Sequence, residues 1–142
     1  MNVKNLGHLA DVNKSTIKIP IFTEKVKVGW PSPADDYIER PIDLNEYLVN
    51  NTAATYLVRA SGDSMVNAGI NDGAILVVDR SLEAQHGKIV IASVSGAYAC
   101  KRLQLYPKPL LLSENIKYPP IEIKEEEDLE IMGVVLAAIN QF

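Results

Sequence analysis

The chain is 142 residues long and carries 14 Lys and Arg against 18 Asp and Glu, a net charge of −4. That length suits one domain with a tail, and 47% hydrophobic with 23% charged residues supplies a buried core. An acidic chain without a basic run is not built to live on phosphate backbones, and its one cysteine, Cys100, cannot form an internal disulfide.

Residues 1–28 mix polar and apolar side chains with no sustained period of 2 or 3.6. The next stretch, Gly29-Trp30-Pro31-Ser32-Pro33-Ala34-Asp35-Asp36, is dense in turn formers, and Pro41 closes it. Proline fixes φ and removes an N–H, so this segment is expected to be extended or kinked and outside any central sheet. Residues 1–40 therefore read as an N-terminal arm and linker, and residues 41–142 as the folded domain. Asp43 can cap a helix over Leu44–Asn50, with Glu46 at the spacing of a capping box and Ile42 and Tyr47 placed as a hydrophobic staple.

Beyond Asn50-Asn51-Thr52 the pattern is that of strands. Thr55–Ala60, Ala74–Asp79, Lys88–Val94 and Ala97–Leu103 are short and rich in β-branched or aromatic residues. Asn71-Asp72-Gly73 and Ser95-Gly96 mark tight turns, the second joining two strands into a hairpin. Leu110–Leu112, Pro120–Lys124 and Glu130–Ala138 follow as further strands. The expected fold is mainly β: a small folded-over, barrel-like antiparallel sheet with an extended N-terminal arm and one short helix. The longest apolar run, Ile131–Ile139, has nine residues, whereas a membrane-spanning helix needs ~20. Met1–Leu6 lacks the apolar core of a secretory signal, and the expected location is the cytoplasm.

Two places could carry chemistry. In Ser61-Gly62-Asp63-Ser64-Met65, Gly62 permits a positive φ and Asp63 suits a helix start, which leaves the Ser64 hydroxyl at a sharp turn beside backbone N–H groups. Such groups can stabilise an oxyanion, although turn chemistry alone explains the same residues. In Ala97–Leu103, alternation puts Lys101 on one face with Ala97, Ala99 and Leu103, and Tyr98, Cys100 and Arg102 on the other. If the Ala/Leu face is buried, the dry surroundings disfavour a charged amine, and a neutral lysine can act as general base toward a serine. The competing reading is an edge lysine that reaches water. Elsewhere the residues fit structural roles. His86 lies in the turn Gln85–Lys88, His8 lies in the arm, Glu125–Asp128 reads as a solvated turn, and Asp35-Asp36 lack nearby partners. Cys100 reads as a packing residue, and Trp30 as an anchor for the arm or a packing side chain. Two histidines with one cysteine fall short of a four-ligand zinc site, and no glycine-rich phosphate loop is present, so no metal or cofactor is expected.

Taken together, Ala60-Ser61-Gly62-Asp63-Ser64-Met65, Gly69-Ile70-Asn71-Asp72-Gly73, His86-Gly87-Lys88-Ile89-Val90 and Cys100-Lys101-Arg102-Leu103 resemble the LexA/UmuD family of self-cleaving Ser–Lys peptidases of the bacterial DNA-damage response. The motifs Gly29–Ala34, Ile42–Asn45, Ala54–Tyr56 and Gly133–Val135 extend the resemblance over roughly Ile19 to Ile139 and are similar to the UmuD-like members. The resemblance implies that Ser64 is the nucleophile, Lys101 the general base, and the backbone N–H groups of Ser64 and Met65 the oxyanion donors. It implies a scissile bond at Val28–Gly29. There the family usually has alanine or cysteine before the glycine, so Val28 adds bulk, and Trp30 stands where better-known relatives have phenylalanine. Repressor relatives carry an N-terminal helix-turn-helix domain, for which forty residues are too few. The implied protein is a self-processing accessory subunit of an error-prone translesion polymerase. It would form a homodimer, partner a UmuC-like polymerase, and respond to a RecA filament on single-stranded DNA. Direct sequence-specific DNA contact and membrane association are not expected. Two other readings compete: a non-cleaving adaptor of polymerase or RecA, and a signal-peptidase-like Ser–Lys protease.

Overall fold

Short segments rich in β-branched residues, punctuated by Gly, Asn and Asp, pair into antiparallel ladders. The computed structural model describes residues 2–8, 16–22, 38–125 and 128–142. In chain order the strands are β1 Asn2–His8, β2 Lys18–Phe22, β3 Ile38–Asp43, β4 Thr55–Ser61, β5 Ile75–Asp79, β6 Ile89–Val94, β7 Ala97–Gln104, β8 Leu110–Leu112, β9 Ile121–Glu122 and β10 Leu129–Ile139. Among the described residues one α-helix, α1, spans Leu44–Leu48, and a 3₁₀ turn spans Val66–Ala68. The chain divides into two units, Met1–Val12 with Asn51–Phe142 and Asn13–Asn50.

The larger unit is one eight-stranded antiparallel sheet in the order β1-β4-β5-β10-β6-β7-β8-β9. It folds over far enough to bring β1 against β7. No hydrogen-bonded closure links β1 to β9, so the sheet is open rather than a closed barrel. Folding over buries both faces. One core gathers Tyr56, Val58, Met65, Leu76, Ile91 and Cys100, and the other gathers Val90, Ala92, Leu103, Leu111 and Val134. Val90 and Ala92 point one way and Ile91 the other, as alternation along β6 requires. Double burial also explains why β5 is an unbroken apolar run ahead of Asp79 rather than an alternating one.

Two local devices set the registers. Ser95 (φ 49°) and Gly96 (φ 85°) both take left-handed backbone, giving the two-residue loop that closes β6 onto β7 with Val94 opposite Ala97. In β10, the register against β6 slips between Ile131 and Gly133. There the Tyr56 hydroxyl donates to the Met132 carbonyl at 2.9 Å. A Cβ on Gly133 would lie 2.5 Å from Val78 Cγ1, so only glycine lets the strand approach this closely.

In the smaller unit β2 and β3 form an antiparallel pair. Pro20 and Pro41 are accommodated because a two-stranded sheet consists of edges, and the register breaks between Ile19 and Ile21. Helix α1 ends at Leu48, short of the expected Asn50. The Asp43 side chain caps it by accepting the Asn45 N–H at 3.0 Å. The periodicity of residues 1–40 predicts none of β1, β2 or β3; pairing with β4 and with each other supplies what the local pattern lacks. Among the described residues no helix is long and apolar enough to cross a membrane.

Candidate active site

Ser64 sits on an excursion between neighbouring strands. β4 and β5 pair directly, and the connection between them is pinched at its base: the Ala60 N–H donates to the Ala74 carbonyl and the Gly73 N–H to the Ala60 carbonyl, both at 2.8 Å. Within the excursion Gly62 takes φ 90°, a conformation costly for other residues, and its N–H donates to Asp72 Oδ1 at 2.7 Å. The Val66 N–H then closes on the Asp63 carbonyl at 3.2 Å. The Met65 side chain is fully buried in the core and pins the turn from below. Ser64 consequently lies inside the fold with 1% of its surface exposed.

Lys101 comes from the middle of β7, opposite Val90 of β6. It shares the face that carries Leu103 into the second core, as alternation predicts, and 5% of its surface is exposed. Its Nζ donates to Ser64 Oγ at 2.9 Å. The Tyr118 ring centroid lies 5.8 Å from the same nitrogen, within range of a cation–π contact. Cys100 points to the opposite core and is fully buried; burial pushes its thiol up to about 11.

A third segment, unmarked by sequence spacing, joins these two. It is the loop Ser113–Tyr118 that follows β8. Asn115 Nδ2 donates to the Asp63 carbonyl at 2.9 Å, the Tyr118 hydroxyl donates to the Asp63 carboxylate, and Lys117 Nζ lies 3.7 Å from Asp63 Oδ2. The Glu114 carbonyl accepts the Asn67 N–H at 3.0 Å, while the Glu114 side chain accepts from Arg102 Nε, next to Lys101 on β7. The loop is thereby fastened to both the serine turn and the lysine strand. The hydroxyl of Tyr118 holds the Asp63 carboxyl below its ordinary range, with Lys117 contributing, and the same bond raises the Tyr118 phenol. In the sequence this loop shows only as a polar, proline-flanked connection; contacts to residues some fifty positions away leave no periodic trace.

Among the other candidates, His86 makes its contacts outside this cluster. His86 is exposed, its Nδ1 accepts the Leu105 N–H at 2.9 Å, and its ring packs on Tyr106. His8 lies in β1. Val28, Gly29, Trp30, Asp35 and Asp36 lie outside the described residues, as do Glu126 and Glu127. Among the described residues no three His, Cys, Asp or Glu side chains gather as a metal site would need.

Chemically, a serine hydroxyl and a lysine amine in hydrogen-bond contact, both withdrawn from water, can pass a proton from oxygen to nitrogen once the amine is neutral. The turn around Ser64 keeps main-chain N–H groups close to the Ser64 hydroxyl.

Residues 20–136 match the family described as Peptidase S24-like. Among curated proteins the chain is 46% identical over 122 residues to protein SamA of Salmonella typhimurium, covering 86% of this chain and 85% of that protein. It is 44% identical over 124 residues to protein ImpA of Escherichia coli, covering 86% and 83%. Protein MucA of Escherichia coli is 44% identical over 118 residues, covering 82% and 81%.

Proposed function

The chain belongs to the Peptidase S24-like family, as a UmuD-like member of the LexA/UmuD group active in the SOS response, and from that premise we propose that it is a self-cleaving Ser–Lys peptidase. Its shortened form would serve as the accessory subunit of an error-prone translesion polymerase. The observation that carries this reading is the 2.9 Å contact between Lys101 Nζ and Ser64 Oγ in a site nearly closed to water.

In the proposed reaction neutral Lys101 takes the Ser64 proton as Oγ attacks the Val28 carbonyl. The N–H groups of Ser64 and Met65 hold the resulting oxyanion. The tetrahedral intermediate collapses, Lys101 returns the proton to the leaving amine of Gly29, and the bond to Gly29 breaks. Water, deprotonated by Lys101, then releases residues 1–28 from the acyl-enzyme. Tethering raises the effective concentration of the scissile bond, so a chain can cleave itself without strong substrate recognition. The partners proposed are a second copy of the chain, a UmuC-like polymerase, and a RecA filament on single-stranded DNA that stimulates cleavage, all in the cytoplasm.

The test is intact mass after alkaline incubation of the wild type, Ser64→Ala and Lys101→Ala. A lysine must be neutral to act as base, and alkaline incubation favours that form. Without RecA, residues 1–28 are expected to be released in the wild type alone. A wild type that keeps its full mass there, and also with RecA on single-stranded DNA, replaces this reading with that of a non-cleaving adaptor.

A further inference from the structure

The loop Ser113–Tyr118 reaches the nucleophile's turn at its backbone, and that contact has a direction. Asn115 Nδ2 donates to the Asp63 carbonyl at 2.9 Å, while Asn115 Oδ1 accepts the Lys117 N–H at 3.1 Å. Only this orientation of the amide serves both partners, since one needs a donor and the other an acceptor. The Asp63 carbonyl also accepts the Val66 N–H at 3.2 Å. Among the described residues the only cis peptide is Tyr106–Pro107, so the Asp63–Ser64 peptide is trans. The Asp63 C=O and the Ser64 N–H share that rigid plane and point in opposite directions. Two donors holding the oxygen therefore aim the Ser64 N–H the other way, and rotating the plane breaks both bonds. Asn115 is itself held in place, because the neighbouring Glu114 binds Asn67 through its carbonyl and Arg102 through its side chain.

We propose that Asn115 is a positioning residue: through the Asp63–Ser64 peptide plane it aims the Ser64 N–H at the oxyanion formed during cleavage. The inference rests on the self-cleavage reading above. Asn115 touches no reacting atom. Its contribution is to fix beforehand a dipole that the transition state uses, which removes the cost of reorienting that dipole as charge develops.

The test uses the full chain and intact-mass time courses from neutral to strongly alkaline pH, for the wild type, Ser64→Ala, Asn115→Asp and Asn115→Ala, with thermal unfolding of each. Asn115→Asp keeps the shape and the acceptor toward Lys117 but loses the donor; Asn115→Ala loses the donor without adding charge. Outright loss of an oxyanion donor costs roughly 10²–10³ in rate, so misaiming one is expected to slow cleavage roughly 10–100-fold. The fall is expected at every pH and in both variants, with the pH profile unshifted and the unfolding midpoint above the assay temperature. A merely structural role would lower the midpoint and leave the rate of the folded protein alone. Rates within about twofold of wild type, a profile displaced along the pH axis, or a fall confined to the charged variant would overturn the proposal. If the wild type is as inert as Ser64→Ala, the self-cleavage reading fails and this inference falls with it; wild-type cleavage matched by both Asn115 variants sinks the inference alone.

Discussion

Replacing Lys101 by methionine and by alanine separates the lysine's packing from its chemistry. The stem of Lys101 crosses a dry interior opposite Val90, with 5% of the residue exposed. Alanine removes three methylenes beyond Cβ, at about 0.8 kcal/mol for each buried methylene, so Lys101→Ala is expected to lose about 2–3 kcal/mol of stability. Methionine fills nearly the same volume and removes an amine that must be stripped of water on folding. Against that gain stands one lost hydrogen bond to Ser64, worth about 1 kcal/mol. Lys101→Met is therefore expected within about 1 kcal/mol of wild type. Both variants lose the proposed general base, a role worth roughly 10²–10⁴ in rate. Urea denaturation at neutral pH, with intact mass confirming that each sample is full length, gives the stabilities, and alkaline time courses give the rates. A methionine variant as unstable as the alanine variant would refute the packing argument. A methionine variant that still cleaves would refute the chemistry.

Gly133→Ala forces a Cβ to within 2.5 Å of Val78 Cγ1 at a slip in the β10 register, and is expected to cost about 1–3 kcal/mol in the same denaturation assay; a stability equal to wild type would show that the strands part freely there. Cys100, buried with its thiol pushed up to about 11, is expected to resist alkylation in the native protein at mildly alkaline pH and to react once the chain is denatured; rapid native labelling, read by mass, would contradict the packing. The Tyr118 hydroxyl holds the Asp63 carboxyl down, so their bond stabilises the fold above the ordinary carboxylate range, and that contribution disappears as pH falls through the depressed value. Tyr118→Phe is expected to return the Asp63 titration, followed by NMR, toward ~3.9; an unmoved titration would break the assignment.

Strands β4 to β10 of the larger sheet can be placed from sequence because their cues are local: β-branched residues in short runs, and Ser95-Gly96 where two successive positive φ values are needed. Lys101 was legible for the same reason, since the period of two assigns it to the face of Leu103. Ser64 could be placed on a turn by Gly62 and Asp63, yet what lies beside it could not be read from spacing. The family motifs supplied the pairing, and the 2.9 Å contact supplies its geometry. The loop Ser113–Tyr118 is not legible in the sequence because a loop has no period to betray its partners. β1, β2 and β3 are not legible there either, because a strand specified by its neighbour need not alternate, and because Pro20 and Pro41 argue against strands except at edges.

The position of β1 bears on what processing does to the sheet. Its residues 2–8 lie N-terminal to Val28, and β1 forms one border of the eight-stranded sheet by pairing with β4. Cleavage at Val28–Gly29, as proposed, would sever that border from the rest of the chain. Once it departs, β4 becomes the outermost strand, and the main-chain donors and acceptors of residues 55–61 that now face β1 turn to solvent or to another extended chain. A single peptide-bond scission would thus change the outline of the sheet while leaving the Ser64–Lys101 pair, and every strand from β4 onward, covalently untouched.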